Sequence, residues 1–97
     1  MIRIRFSSAA EKDLIEAQAW YADQAPDLDL AFRDELDHIL LQMRTYPAGF
    51  PMVHESIRRA NLRRFPYSVF YVERRDHLFL LGIVHQSRSP SFWKRRW

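Results

Sequence analysis

From Ile57 to His85 the chain reads IRRANLRRFPYSVFYVERRDHLFLLGIVH. Its apolar positions recur with a period of two, but on both phases. Tyr67, Val69 and Tyr71 alternate with Phe70 and Val72. Phe79, Leu81 and Ile83 alternate with Leu78, Leu80 and Val84. β-branched and aromatic residues suit a pleated surface, so residues 62–72 and 78–84 are predicted as two long strands. The charged run Glu73-Arg74-Arg75-Asp76-His77 between them is short enough for a hairpin loop. Residues 57–60 are predicted as a further strand, turning near Asn61 or Pro66. A strand with one wet face alternates apolar and polar residues; these are apolar on both faces, so both sides of the sheet need cover.

The first half of the chain has a different period. Ile2, Ile4 and Phe6 alternate with Arg3 and Arg5, which predicts a short strand. Ser8-Ala9-Ala10-Glu11 has capping-box spacing and opens a helix running to about residue 22 or 24. Leu14, Ala17 and Tyr21, with Trp20 adjacent, form its buried stripe. Pro26 ends the region. Asp27 or Asp29 is predicted to cap a second helix, whose stripe is Phe32, Leu36, Ile39, Leu40 and Met43. Pro47 and Gly49 stop it. So short a connection makes the two helices an antiparallel hairpin. Residues 50–54 are predicted as a loop folded back over an edge. Ser89 and Pro90 can start a last helical turn, after which Phe92, Trp93 and Trp97 can cover part of the second sheet face. The expected fold is α+β in one domain over residues 1–97. Its order is β-α-α-β-β-β, antiparallel throughout, with the first strand at an edge, the helical hairpin on one face and a short helical tail.

Ninety-seven residues, 47% hydrophobic and 28% charged, describe a globular chain with a modest core. Net charge is +3, but the charge is unevenly placed. Residues 1–55 hold five basic and ten acidic groups, a balance of −5; residues 56–97 hold ten basic and two acidic groups, a balance of +8. Such asymmetry points to a polyanionic or acidic partner for the basic half. Cysteine is absent, which excludes disulfides and thiolate metal sites. No apolar run approaches the ~18 residues that span a membrane. Residues 1–6 lead at once into a polar helix rather than a secretory signal, so a cytoplasmic location is expected.

The chemistry-bearing residues are few. His38, His54, His77 and His85 are scattered, and no metal or cofactor site is expected. With Gly49 and Gly82 as the only glycines, no phosphate loop forms. His85-Gln86-Ser87-Arg88 lies where the last strand gives way to the tail. There a His can act as general acid or base on RNA while Arg88 steadies phosphate charge; alternatively His85 bonds locally and Arg88 pairs with an acid or a sheet edge. Arg58, Arg59, Arg63 and Arg64 can contact phosphate or stack on bases, or protect a strand edge by charge. Lys94, Arg95 and Arg96 are either a nucleic-acid contact or a solvated end.

An ordered set of residues carries a resemblance over nearly the whole chain. It comprises Trp20-Tyr21, Phe32 with Leu36, Pro47, Ile57-Arg58-Arg59, Leu62 with Phe65-Pro66-Tyr67, Phe70-Tyr71, and His85-x-x-Arg88 with Pro90 and Trp93. This pattern resembles the RelE/ParE superfamily of bacterial toxins. The resemblance implies a growth-inhibiting toxin of a type II toxin–antitoxin operon, wrapped by an antitoxin protein and meeting operator DNA only through it. The antitoxin surface expected on this basis includes Tyr67, Val69, Phe70, Tyr71, Leu80 and Trp93. RelE-like members cleave mRNA in the ribosome; ParE-like members inhibit DNA gyrase. Ser68 stands where several mRNA-cleaving members carry an Arg, and His-x-x-Arg after the last strand is common in ParE-like members. The ParE-like branch is therefore the expected one, with His85 and Arg88 catalytic only on the RelE-like alternative. A plain nucleic-acid-binding domain would explain the basic half but not a sheet apolar on both faces.

Overall fold

The computed structural model describes residues 1–88. The expected helical tail, with its Phe92, Trp93 and Trp97 cover and the Lys94-Arg95-Arg96 run, lies outside the described residues. Strand β1 (Arg3–Phe6) leads into helices α1 (Ser8–Gln24) and α2 (Leu28–Thr45). A single 3-10 turn, Pro47–Gly49, then precedes β2 (Met52–His54), β3 (Ile57–Asn61), β4 (Tyr67–Glu73) and β5 (His77–His85). The five strands form one sheet in the order β1-β5-β4-β3-β2.

Two expectations are corrected here. The sheet is mixed: β1 pairs with β5 in parallel, from Arg3 opposite His77 to Phe6 opposite Leu80. The reason is parity. Residues 52–54 are not a loop but the short strand β2, antiparallel to β3. That strand adds one reversal of direction, so the last strand runs the same way as the first. The second correction concerns capping. Ser7, not Ser8, is the N-cap of α1, and its hydroxyl accepts the Ala10 N–H at 3.0 Å. Asp27 stands at the N-cap of α2 in a left-handed conformation (φ 64°) and makes no side-chain cap bond. Its role is the sharp reversal after Pro26, a conformation Asp tolerates better than most residues.

The helical hairpin covers one sheet face, as its stripes require. Leu14, Ala17, Tyr21, Phe32, Leu36, Ile39 and Met43 pack on Ala60, Val69, Tyr71, Leu78, Leu80 and Ile83. Ile57, Phe70, Val72, Leu81 and Val84 form a second buried cluster, with Val53 and Phe79 packed against it. The membership of β5 departs from simple alternation. Tyr71 pairs with Leu80 and Phe70 with Gly82, leaving Leu81 as the extra residue of a β-bulge. The bulge shifts the phase, so Ile83 joins Leu78 and Leu80 under the helices while Val84 joins Leu81 on the other side.

A bulge frees backbone groups that must find other partners. Here Ser7, between β1 and α1, and Asp13, within α1, supply them. The Ser7 N–H donates to the Leu80 carbonyl (2.9 Å), the Ser7 hydroxyl donates to the Leu81 carbonyl (3.3 Å), and the Ile83 N–H donates to Asp13 Oδ2 (3.0 Å). Asp13→Ala is expected to cost about 1–3 kcal/mol, the penalty for leaving a part-buried donor unpaired. Urea unfolding checks this as a lower midpoint at unchanged slope. Asp13→Asn, which keeps an acceptor oxygen, should cost less.

Tyr71 ties the sheet to the turn after α2. Its hydroxyl donates to the Pro47 carbonyl at 2.6 Å from a fully buried position. Burial pushes its pKa from 10 up to about 12; the nearby Arg58 opposes the rise and Glu73 adds to it. Folding therefore favours the neutral phenol. The associated stability is complete below pH 10 and disappears as pH rises through about 12, a loss of about 2–3 kcal/mol. Urea midpoints measured from pH 9 to 12 should fall less steeply in Tyr71→Phe. Some slope remains, because burial also raises Tyr21 and Tyr67.

Candidate functional site at the end of the central hairpin

The N-terminal end of β4 and the C-terminal end of β5 meet where Tyr67 pairs with His85. The local backbone is well fastened. Gln86 donates from its backbone N–H to the Pro66 carbonyl (2.7 Å) and from its side-chain amide to the Tyr67 carbonyl (3.1 Å). The same Tyr67 carbonyl accepts the Leu62 N–H at 2.9 Å. The Arg88 N–H closes a turn onto the His85 carbonyl at 3.0 Å. His85 Nδ1 accepts the Ser87 backbone N–H at 3.1 Å and lies 2.8 Å from the Ser87 hydroxyl. The Ser87 N–H bond makes Nδ1 an acceptor and leaves Nε2 as the ring nitrogen available to donate.

Around His85 opens a cleft of about 550 Å³, lined by Glu16, Trp20, Tyr21, Pro66, Tyr67 and His85. The His85 ring stands edge-on to Tyr67, with centroids 5.2 Å apart. Tyr21 meets Phe32, Phe65 and Tyr67 at 5.2, 4.9 and 6.0 Å, and Trp20 stands on Tyr21 at 5.1 Å. This aromatic cluster fixes α1 against the start of β4. Burial raises the pKa of Tyr67, with Asp13 adding to the rise; burial also raises Tyr21, with Tyr67 adding. Both phenols are therefore protonated at neutral pH and donate hydrogen bonds rather than accept protons. The described lining carries one carboxylate, Glu16, and no Lys or Arg.

The candidate cations divide. Arg58 is built into the fold: its Nε bonds Glu73 Oε1 at 2.9 Å and its Nη1 bonds the Phe50 and Ala48 carbonyls at 2.7 and 3.3 Å. These bonds clasp β3 to Glu73 at the end of β4 and to the segment after α2. Arg59 is exposed and pairs opposite Phe70 on the face away from the helices. Arg63 and Arg64 are exposed on the β3–β4 loop, at the His85 end of the sheet, with the Arg64 guanidinium 5.7 Å from the Phe65 ring centre. Lys94, Arg95 and Arg96 lie outside the described residues.

The expected antitoxin surface divides as well. Val69, Tyr71 and Leu80 have no exposed area and sit beneath the helical hairpin. In this structure those three are core residues, packed with side chains of α1 and α2. Phe70 is buried on the opposite face, Tyr67 lines the cleft, and Trp93 lies outside the described residues.

Three side chains that organise the site are absent from the sequence reading. Glu35 reaches from α2 to accept the N–H groups of Arg63 (2.8 Å) and Arg64 (3.1 Å), which holds the β3–β4 loop. Asp13 supports the bulge, and Glu16 borders the cleft. A signal did exist for two of them. Asp13, Glu16 and Trp20 stand at i, i+3 and i+7, one stripe along α1 beside the buried one. Among the described residues, no group of three His, Asp or Glu could hold a metal ion, and no helix is long and apolar enough to cross a membrane.

This architecture has a counterpart among solved structures. It superposes on "Chromosomal ParDE TA system from P. aeruginosa" with a TM-score of 0.76 and 19% identity, covering 88% of this chain and 96% of that one. That likeness shows a shared class of fold, a small α+β domain with a helical hairpin on one face of its sheet. The chain belongs to the family described as ParE toxin of type II toxin–antitoxin system, parDE, whose model matches residues 4–90. Toxin ParE2 of Mycobacterium tuberculosis, from strains CDC 1551 / Oshkosh and H37Rv, is 30% identical over 90 residues, covering 92% of this chain and 86% of that protein.

Proposed function

We propose that this ParE-family toxin inhibits DNA gyrase in the cytoplasm and is neutralised by a cognate antitoxin, without cutting RNA. The match of residues 4–90 to the ParE family carries the reading. The site geometry supports it against the RelE-like alternative. Ser68, at the position where several mRNA-cleaving relatives carry Arg, is buried and bonded through its hydroxyl to Asn61 Oδ1. An Arg there would need a buried charge to find a partner. His85 shares its cleft with a carboxylate and two neutral phenols.

The antitoxin is expected to carry an acidic, amphipathic segment that folds on binding, because the target half of the chain has a balance of +8. Its docking is to be sought among surface residues, since Val69, Tyr71 and Leu80 are enclosed. Purified protein should reduce supercoiling of relaxed plasmid by gyrase in a dose-dependent way, and added antitoxin should restore it. Undiminished supercoiling, combined with ribosome-dependent mRNA cleavage, would replace this function with the RelE-like one.

A further inference from the structure

The cleft beside His85 has walls that suit a cation better than an anion. Trp20 leaves 56% of its area exposed although Tyr21, next to it in sequence, is buried. Trp and Tyr rings present negatively polarised faces that attract ammonium and guanidinium groups. Here Trp20, Tyr21 and Tyr67 line the space together with Glu16, Pro66 and His85. Glu16 is held only loosely: Lys12 Nζ is 3.9 Å from its Oε1, and both side chains are exposed. A bound cation can therefore take over the carboxylate. Asp13, close enough to raise the Tyr67 pKa, adds negative charge from the same helix face.

We infer that the cleft lined by Glu16, Trp20, Tyr21 and Tyr67 is a receptor for one arginine side chain of a partner protein. Arginine fits better than lysine because its planar guanidinium can lie against an aromatic ring while forking onto a carboxylate. A nucleotide fits worse, since its phosphate would face Glu16. The cleft lies at the same end of the sheet as the basic loop residues Arg63 and Arg64, but neither of them is among its described lining residues. The inference does not depend on gyrase being the target, so loss of gyrase inhibition would leave it intact.

The test uses the full chain, labelled with nitrogen-15 and titrated with N-acetyl-arginine amide. The Trp20 indole and Tyr67 amide signals should shift and saturate in the millimolar range. N-acetyl-citrulline amide, the uncharged near-isostere, should produce no saturating shift. Trp20→Ala should weaken binding about tenfold, and Glu16→Gln about two- to fivefold. Lys12→Met should tighten binding about twofold, because it frees Glu16 of its competing cation. That increase is not expected from a variant that merely loosens the fold. Equal shifts with citrulline, stronger binding of adenosine monophosphate, or arginine affinity unchanged in both Trp20→Ala and Glu16→Gln would each overturn the inference.

Discussion

Expression of the wild-type chain without its antitoxin is expected to stop bacterial growth, and the His85→Ala chain is expected to stop it nearly as well. The expectation follows from what surrounds the imidazole. His85 accepts from Ser87 through Nδ1 and stands edge-on to Tyr67, whose phenol is neutral. A general acid or base typically contributes about 10²–10⁴-fold to a rate. If the toxin cut RNA through His85, the substitution would remove nearly all toxicity. If it blocks gyrase by binding, losing one exposed ring should change potency only a few-fold. Growth after induction is the first measurement, and circular dichroism and melting confirm that the variant is folded. A loss of toxicity by 10²-fold or more in a folded His85→Ala protein would move the chain to the nuclease branch. Normal growth despite abundant folded wild type would count against toxicity itself.

Phe32→Ala is expected to destabilise the fold by about 3–5 kcal/mol, the range for deleting a fully enclosed aromatic side chain. Phe32 has no exposed area and lies between the helical hairpin and the sheet. Its ring stacks on Tyr21 at 5.2 Å and stands edge-on to Phe65 and Tyr67, each at 5.3 Å. Alanine would leave a cavity and remove three aromatic contacts, each worth about 0.5–1.5 kcal/mol beyond its buried area. Single domains have total stabilities of about 5–15 kcal/mol, so much of the margin would vanish. Urea denaturation should show the loss, and Phe32→Leu should fall between the wild type and alanine. A loss below about 1 kcal/mol for Phe32→Ala would mean that the cluster collapses to refill the space. The same cluster positions Tyr67, so Phe32→Ala should also disturb the cleft at temperatures where the chain stays folded.

The site also depends on side chains that support it from outside the cleft lining. Asp13 and Ser7 hold the β5 bulge, Glu35 holds the Arg63–Arg64 loop, and Arg58 joins β3 to the turn after α2. Each is a charged or polar side chain that satisfies backbone groups which no strand partner reaches. Substitutions at these positions should alter function by loosening a segment. Substitutions at Trp20 or Glu16 should act on the cleft surface itself.

How far the chain explains itself depends on the range of the interactions concerned. Helix stripes such as Leu14-Ala17-Tyr21 and Phe32-Leu36-Ile39-Met43 are local periodicities, and the sequence alone was enough to place them, together with the hairpin that joins them. The two-phase apolar pattern of residues 67–72 and 78–84 likewise determined that the sheet is buried on both sides, since no amphipathic strand carries such a pattern. The ordered set from Trp20-Tyr21 to His85-x-x-Arg88 identified the superfamily. The direction of β1 relative to β5 was decided in three dimensions, because it turns on whether the three residues Met52–His54 find hydrogen-bond partners on β3, and so short a strand has no period of its own. The bulge at Leu81 was decided in the same way: one extra residue changes the face of every residue after it, and its cost is met by Ser7 and Asp13, more than 65 residues away in sequence. Only this long-range pairing separates Ile83 from Leu81, commits Arg58 to Glu73, and brings Glu16 and Trp20 to the same cleft as His85.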